Sequence, residues 1–299
     1  MVMDTLARGF AVYLEAERGY SPLTATAYCG DLRRFFDFLH SADVPLEPDQ
    51  VTTALVRGWV VDMHHEGLSP TTIARRLHGL RSFWSYLLAC DYVHDDPVRK
   101  VSVPKRERTL PRYLTADELE ALLEAAQRNK FVICAFRNYA IISVLIFTGM
   151  RRGEVIGLRI GDVSLAEKVI RVRGKGGKMR VIPLVDRAAE AVRDWLELRP
   201  NHKGHDYLFT TTHGNPIAPW RMHRIWRTVL EESSIEAQGV TLHTLRHSMA
   251  TLLLQSGECS LVEIQRILGH SRLDTTAIYL HVTESELRGA VQAHPLADG

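Results

Sequence analysis

The sequence predicts a mainly α-helical fold with a small antiparallel β-sheet, divided between two domains. Its 299 residues are enough for two ordinary domains, each with a core of its own. Most of the chain repeats its apolar residues with helical spacing, and residues 168–183 alternate as a β-hairpin does. Hydrophobic residues at 45% and charged residues at 24% are typical of a globular protein and exclude a disordered tail protein or a fibre.

Two related segments predict helices in the first domain. Residues 21–39 and 69–87 each begin with Ser-Pro and share a leucine, an arginine and an aromatic cluster at one constant offset. Serine is a favoured N-cap and proline suits the first helical position, so both segments predict amphipathic helices. We expect their aromatic side chains to form a helical core. The sequence leaves open whether their arginines bind phosphates: Arg33, Arg75, Arg76 and Arg81.

A basic segment separates the two domains. Residues 99–112 hold six basic residues and one acidic residue, and three prolines at or beside this segment interrupt any regular helix. We therefore predict an N-terminal helical domain over residues 1–98, an extended linker over 99–112 and a second domain over 113–299. A solvated surface loop is the alternative interpretation of the linker.

The second domain opens with helices and then changes to a hairpin. A Thr-Ala-Asp-Glu capping box predicts a helix from residue 115 to about 127. An apolar helix over about 138–147 and a short helix over 151–158 follow. The β-branched runs around Gly-Lys-Gly-Gly at residues 174–177 predict a β-hairpin with Lys175 in its turn. The rest of the domain is predicted to be mostly helical.

The composition also bears on location and partners. A formal net charge of +2 says little by itself, although residues 1–105 carry a net −2 and residues 106–299 a net +4. The four cysteines are widely spaced without a CxxC pair, which suits a reduced cytosol better than a disulfide framework. The sequence contains no run of about 18 apolar residues, so it predicts no membrane span. The N-terminus is too charged for a secretory signal. We therefore expect a cytoplasmic protein.

Four segments of the second domain carry side chains suited to chemistry. They are Thr148-Gly-Met-Arg-Arg-Gly-Glu154, the basic hairpin over residues 168–180, His243-Thr-Leu-Arg-His247 and Leu268-Gly-His-Ser-Arg-Leu-Asp-Thr-Thr-Ala-Ile-Tyr-Leu-His281.

Two familiar interpretations of these segments fail. The hairpin is not a Walker A phosphate loop, because Lys178 is followed by Met179 and no glycine stands at the required earlier position. His243 and His247 have the spacing of a zinc pair. However, Thr244 stands where a metalloprotease needs glutamate, and no third ligand is spaced to match.

The combination of residues is more informative than any single one. Two arginines, a lysine, two histidines and a tyrosine form a set that includes neither a carboxylate pair nor a metal cage. Guanidinium groups bind phosphate oxygens in a bidentate fork, and a tyrosine oxygen can act as a covalent nucleophile. The set is therefore suited to attack on a phosphodiester.

The order of these residues resembles the active-site signature of the tyrosine recombinases, the phage integrase family. The matching positions are Arg151, Lys175, His243, Arg246, His270 and Tyr279. The short sequence motifs around these positions are similar to those of the Xer subgroup. They are Thr-Gly-Met-Arg, His-Thr-Leu-Arg-His, Leu-Gly-His-Ser and Thr-Thr-Ala-Ile-Tyr. The resemblance implies a SAM-like helical core-binding domain, followed by an α+β catalytic domain that ends in a protomer-exchange helix. A helix of the tail that packs on its own domain is the alternative.

The resemblance also implies a role for each matched residue. Tyr279 would be the nucleophile that forms a 3′-phosphotyrosyl link, while Arg151 and Arg246 would clamp the phosphate. Lys175 would be the general acid, and His243 would assist proton transfer at the tyrosine. Two further roles are implied: His270 would hydrogen-bond the phosphate, and Glu154 would orient Arg151.

No metal and no ATP are implied. The implied partner is double-stranded DNA with a specific recombination site, bound by a homo- or hetero-tetramer on two sites that exchanges strands through a Holliday junction. A second recombinase subunit or an activating DNA translocase is a further implied partner, and the location would be the nucleoid. The process would be chromosome or plasmid dimer resolution, or integration and excision of a mobile element. The DNA-contact candidates are Arg33, Arg75, Arg76, Arg81, Lys105, Arg106, Arg108, Lys178, Arg221 and Arg224.

Two alternatives stay open at this point. A type IB topoisomerase would use a similar residue set to relax DNA without exchanging partners. A DNA-binding architectural protein could keep the fold without the activity.

Overall fold

The computed structural model describes residues 2–102, 112–174, 179–201 and 204–269. The chain divides into two compact units, Met1–Thr109 and Leu110–Gly299. The described part is mainly helical with one small sheet, so the predicted fold class is confirmed. None of the helices in these ranges combines the length and the hydropathy needed to cross a bilayer.

The described part of the first unit contains four α-helices: α1 (Val2–Ala16), α2 (Pro22–Ser41), α3 (Thr53–His65) and α4 (Pro70–Ala89). The predicted starts of α2 and α4 are confirmed. The Ser21 hydroxyl accepts a hydrogen bond from the Thr24 N–H at 3.2 Å, and Ser69 accepts one from the Thr72 N–H at 3.2 Å. A proline occupies the first helical position in both cases, where its missing N–H costs no intrahelical bond.

Aromatic side chains of α2 and α4 lie in the core of this unit, as predicted, and Trp59 of α3 joins them there. Phe35 packs edge-on against Trp59 with ring centroids 5.0 Å apart, and Phe83 packs against Trp84 at 5.6 Å. All four side chains are buried. Offset and edge-to-face contacts of this kind add about 0.5–1.5 kcal/mol per pair to the stabilisation from burial.

The chain remains packed on this core beyond α4. Val98 and Val101 are buried in it, and residues 97–100 form a turn. The Asp96 carboxylate holds the turn by accepting hydrogen bonds from the Val98 N–H at 2.8 Å and the Arg99 N–H at 3.1 Å. The predicted linker over residues 99–112 therefore begins within the packed part of the first unit. Most of that segment, including Lys105, Arg106 and Arg108, lies outside the described residues.

The described part of the second unit contains seven α-helices and one sheet. The helices are α5 (Ala116–Gln127), α6 (Val132–Thr148), α7 (Arg152–Gly157), α8 (Asp186–Leu198), α9 (Pro219–Glu232), α10 (Leu242–Gln255) and α11 (Leu261–Leu268). The sheet is antiparallel in the order β1 (Val163–Ser164), β2 (Val169–Arg173), β3 (Met179–Pro183).

The apolar helix α6 lies at the centre of this unit and packs against α5, α8 and α10. Its predicted start at residue 138 is wrong, because the helix begins at Val132. The first turns carry exposed apolar side chains such as Val132 and Phe136, so they lack the one-sided pattern that reveals a helix. Its predicted end is correct, as is the capping box of α5, in which Thr115 and Glu118 each accept the other's backbone N–H.

The predicted hairpin is confirmed by the pairing of β2 with β3. Val172 lies opposite Arg180 and Ile170 lies opposite Ile182. The side chains of Ile170, Val172 and Ile182 are buried on one face, as the alternation requires. The tip of the hairpin, with Lys175 and Lys178, lies outside the described residues. Strand β1 is too short to leave an alternating pattern in the sequence.

Candidate active site

The site forms where α6 ends. Gly149 has φ +58°, a left-handed conformation that terminates the helix. A Cβ at this position would lie 2.8 Å from the Leu268 Cδ2 atom and 3.2 Å from the Met249 sulfur. Both the conformation and the close approach of α10 and α11 therefore require glycine. The turn brings Arg151, the residue before α7, to the same end of the domain as α10 and α11.

Arg151 is held through Glu154 in the first turn of α7. The Arg151 backbone N–H donates to Glu154 Oε2 at 2.7 Å, and the Arg151 Nη1 donates to Oε1 at 3.0 Å. Half of the Arg151 side chain faces solvent, with 44% of its area exposed, whereas Glu154 keeps only 10%. The pairing holds the Arg151 backbone and one side of its guanidinium, while the rest of the group stays accessible. The role of Glu154 in orienting Arg151 for phosphate stays a prediction.

Arg246 reaches the same place from α10 and is almost fully buried, with 1% of the residue exposed. Its Nη1 donates to the Gly149 carbonyl at 2.7 Å and its Nη2 donates to the Leu268 carbonyl at 2.8 Å. These carbonyls belong to the ends of α6 and α11, which leave their last C=O groups without intrahelical partners. Arg246 thus joins three motifs at one point.

His243 lies one turn before Arg246, on the same face of α10. His243 and Arg151 line one pocket of about 470 Å³, together with Met150, Arg152, His223, Trp226, Arg227, Leu230, Ala237, Val240, Thr241 and Leu242. Burial of the ring away from water lowers the pKa of His243, and the positive charges of Arg246 and Arg151 lower it further. The imidazole is therefore neutral at pH 7 and can accept a proton.

Arg180 on β3 is a further residue of the site that the sequence interpretation missed. Its Nη1 and Nη2 donate to Glu154 Oε1 and Oε2 at 3.0 Å and 2.9 Å, and its Nε donates to the Ile267 carbonyl at 2.9 Å. A signal was present, because strand alternation puts Arg180 on the same face as the buried Ile182. A basic residue on a buried face requires a partner.

Comparison with known proteins points to the same family as the sequence motifs. Residues 112–286 match the phage integrase family, and residues 7–90 match the phage integrase N-terminal SAM-like domain. The chain is 33% identical to the tyrosine recombinase XerD of Listeria innocua over 302 residues, covering 99% of this chain and 100% of the relative. It is 35% identical to the tyrosine recombinase XerC of Thermodesulfovibrio yellowstonii, covering 96% and 95% of the two chains. The chain belongs to the phage integrase family.

A solved structure extends the similarity to three dimensions. The XerH site-specific recombinase bound to a palindromic difH substrate, in a post-cleavage complex, superposes with a TM-score of 0.74 at 25% identity. The alignment covers 92% of this chain and 81% of that chain. Together these relatives support site-specific recombination by DNA cleavage and rejoining, and they favour neither the topoisomerase nor the catalytically silent alternative.

The structure brings together only some of the residues that the phage integrase signature predicts. Arg151, Glu154, His243 and Arg246 meet at the end of α6. Lys175, His270 and Tyr279 lie outside the described residues, so their roles stay predictions. Among the described residues, no three His, Cys, Asp or Glu side chains are grouped closely enough to hold a metal ion.

The arginines predicted to contact DNA in the first unit differ in their surroundings. Arg33 is exposed on α2. Arg75 forms an ion pair with the buried Asp31, and Arg76 is itself buried with its Nε 3.9 Å from the same carboxylate. Arg81 donates to the Val101 carbonyl. Three of the four therefore have a structural partner within the unit.

In the second unit, two candidate arginines share one aromatic partner. Arg221 and Arg224 lie over the ring of Trp220, 4.9 Å and 5.8 Å from its centroid. Trp220 is 60% exposed at the start of α9. The three side chains form a basic and aromatic surface, which suits contact with a nucleic acid backbone.

Proposed function

We propose that this member of the phage integrase family recombines double-stranded DNA at a specific site, through a covalent link to Tyr279. One observation carries the proposal. Two arginines from distant motifs converge at the end of α6, since Arg246 binds the carbonyl of Gly149 and Arg151 follows two residues later. His243, a neutral base, lies in the same pocket as Arg151.

Arg151 and Arg246 would bind the non-bridging oxygens of the scissile phosphate. A guanidinium group matches phosphate in a bidentate fork and keeps its charge at any physiological pH. Donors that are fixed before the reaction are worth roughly 3–4 kcal/mol each in the transition state. The burial of Arg246 reduces the solvent screening of its charge. The hydrogen bond from the Arg151 backbone to Glu154 holds that residue in place and so reduces the reorganisation that phosphate binding requires.

The proposed chemistry is a transesterification. The Tyr279 oxygen attacks the phosphorus and forms a 3′-phosphotyrosyl ester, while the bond to the 5′-oxygen breaks. Lys175 protonates that leaving oxygen, and the neutral His243 accepts the proton of the tyrosine. His270 donates a hydrogen bond to the phosphate. Attack by the 5′-hydroxyl of a partner strand reverses these steps and rejoins the DNA.

Tyrosine recombinases are generally cofactor-independent, and we propose that this chain needs neither a metal ion nor ATP. The phosphotyrosyl ester replaces one phosphodiester with another of similar energy. The bond energy is therefore kept in the protein–DNA link until the strands are rejoined.

The relatives and the solved recombinase complexes support a DNA partner and a multimeric assembly. We propose four protomers, identical or of two kinds, on two DNA sites, exchanging strands in pairs through a Holliday junction. The segment after Tyr279, residues 283–291, would couple neighbouring protomers. A second recombinase subunit or a DNA translocase would act on this assembly at the nucleoid in the cytoplasm. Its task would be dimer resolution on chromosomes or plasmids, or movement of a mobile element.

A nicked suicide substrate tests the nucleophile. The DNA is a duplex whose site has been selected from random sequence by binding to the protein, with a nick that lets the cleaved end diffuse away. We expect a protein–DNA adduct that survives denaturant, forms in excess EDTA and is absent with Tyr279→Phe, because only the phenol oxygen can form the ester. The Phe variant should bind the same DNA with unchanged affinity. An adduct with Tyr279→Phe would contradict the assignment.

A further inference from the structure

We propose that Arg180 is a positioning residue that links the β2–β3 hairpin to the phosphate-binding Arg151 through Glu154. The inference rests on the proposed function, since it concerns the placement of Arg151 and of the hairpin that carries Lys175. Three sets of contacts support it: those of the Glu154 carboxylate, those of the Arg180 Nε, and those of the neighbouring Gly269.

The Glu154 carboxylate is shared between two arginines. Its Oε1 accepts from Arg151 Nη1 at 3.0 Å and from Arg180 Nη1 at 3.0 Å. Its Oε2 accepts from the Arg151 backbone N–H at 2.7 Å and from Arg180 Nη2 at 2.9 Å. An ionised carboxylate offers about four acceptor sites, so these four hydrogen bonds fill it. Glu154 cannot rotate without losing contacts to both arginines.

The pair of Arg180 and Glu154 is buried, with 12% and 10% of the two side chains exposed. A buried ion pair contributes little net stability, because desolvation offsets the attraction between the charges. Its bidentate geometry nevertheless fixes the two groups in one arrangement. Removal of Arg180 would leave Glu154 buried with only Arg151 to neutralise it, and Glu154 would then reorient.

The position of Arg180 on the hairpin shows which strand its contact with Glu154 orients. It is the second residue of β3, close to the tip over residues 175–178, and it lies opposite Val172 on β2. Its bonds to Glu154 therefore fix the strand from which the tip extends, relative to Arg151. A change at Arg180 should displace the phosphate-binding arginine and the predicted general acid together.

The same side chain also contacts the end of α11. The Arg180 Nε donates to the Ile267 carbonyl at 2.9 Å. A Cβ at Gly269 would lie 3.0 Å from the Arg180 Cδ and 3.2 Å from its Nε, so the absence of a side chain there makes room for the guanidinium. Arg180 therefore lies between the first turn of α7 and the end of α11, next to two segments of the signature besides its own hairpin.

The test compares Arg180→Gln and Arg180→Lys with Arg171→Gln as a matched control. Arg171 is an exposed arginine of β2 that pairs with Glu167 at 2.8 Å, so its loss removes the same charge from the same hairpin.

The measurements are the single-turnover cleavage rate on the suicide substrate, the Kd for the uncleaved DNA and the melting temperature. We expect Arg180→Gln to slow cleavage by roughly 100-fold, the size typical of a small misplacement of reacting groups, with a change in Kd of about threefold or less. Arg180→Lys should keep part of the rate, and Arg171→Gln should match the unchanged protein.

Two further measurements separate a positioning role from a structural one. If Arg180 acts through Glu154, the combined Arg180→Gln and Glu154→Gln variant should be no slower than Glu154→Gln alone. Burial raises the pKa of Glu154, and the bonds from Arg180 and Arg151 hold it below its usual range in spite of this. In Arg180→Gln the pKa of Glu154 should therefore rise, and a titration of its carboxyl carbon by NMR in the free protein measures that change. Within the described part of the chain, Arg151 and Arg180 are the charged groups that face Glu154.

The outcomes are distinct. Cleavage by Arg180→Gln within about twofold of the unchanged protein, multiplicative effects of the two variants, or a rate loss matched by a loss of DNA affinity and melting temperature would each overturn the inference. The carboxyl carbon of Glu154 can also be titrated by NMR without DNA, and an unchanged pKa in Arg180→Gln would overturn it as well. If the unchanged protein forms no adduct, the proposed function fails, and the NMR titration still decides whether Arg180 controls Glu154.

Discussion

The guanidinium groups of the candidate site are oriented by two kinds of acceptor. Arg151 and Arg180 share one carboxylate, whereas Arg246 is held by backbone carbonyls at the ends of α6 and α11. A side-chain acceptor can be deleted by one substitution, but a carbonyl can be moved only by changing the backbone. The position of Arg151 therefore depends on Glu154, and that of Arg246 depends on the conformation of Gly149 and Leu268.

The titration of His243 gives a prediction at the scale of the residue. Burial lowers its pKa first, and the charges of Arg246 and Arg151 lower it further, below the ordinary value of about 6.5. The base form therefore persists as the pH falls, and it is lost only when the pH passes below this reduced pKa. In an NMR titration of the free protein we expect His243 to protonate below pH 6.5, and the cleavage rate to fall over the same range.

The variant His243→Gln provides the control, because glutamine cannot titrate. Its cleavage should be slow at every pH and should lack the acid limb that His243 causes. Protonation of His243 at or above its ordinary pKa would contradict the prediction.

At the scale of the elements, the sequence predicted best those helices that carry their own boundary signals. The capping box at Thr115 and the Ser-Pro starts of α2 and α4 are local, since they need no tertiary partner to operate. The start of α6 has no side-chain cap hydrogen bond, and its first turns are exposed and apolar on several sides. The two-residue β1 exists only through its pairing with β2. Such features depend on the rest of the fold.

The same distinction applies to the candidate site. Spacing within a helix placed His243 and Arg246 on one face, but nothing local connects them to Arg151. Only the resemblance to the phage integrase family related these motifs. The contact between Arg180 and Glu154 joins strand β3 to helix α7. It connects two sequence motifs, so neither motif taken alone predicts it. The alternation of β3 gave Arg180 a buried face but could not identify its partner.

The end of α6 gives a prediction at this scale. Gly149→Ala must adopt a left-handed conformation, which costs about 1–2 kcal/mol for a residue with a Cβ, and its methyl group would also press on Leu268 and Met249. Gly257→Ala is the matched control, because Gly257 has φ +72° but has no atom within 4 Å of an added Cβ. In urea unfolding we expect the control to lose the conformational cost alone. Gly149→Ala should lose more and should also cleave more slowly, since its carbonyl holds Arg246. Equal losses for the two variants would show that the contact with Leu268 has no effect.

At the scale of the whole molecule, the formal net charge of +2 conceals an uneven distribution. Residues 1–105 carry more acidic than basic groups, and residues 106–299 carry the reverse. Several arginines of the first unit are also occupied by partners such as Asp31 and the Val101 carbonyl. Arginine counts therefore overstate the surface offered to DNA, and the exposed Arg33 and Arg224 are better candidates for phosphate contacts than the buried Arg76.

Strand exchange between two sites is the property that distinguishes the whole assembly from a single cleaving subunit. We expect a supercoiled plasmid with two selected sites to give four-way junctions and recombinant products in EDTA, because the phosphotyrosyl bond keeps the energy needed for rejoining. A plasmid with one site should give no intramolecular recombinant. Two-dimensional gels and sequencing of the exchanged flanks measure both results at one fixed salt concentration, since phosphate contacts make DNA binding steeply salt-dependent. Tyr279→Phe, tested on the same plasmids, should give neither junctions nor products. Relaxation of both plasmids without exchanged flanks would instead indicate topoisomerase activity, in which one protomer cleaves and rejoins a strand without a partner.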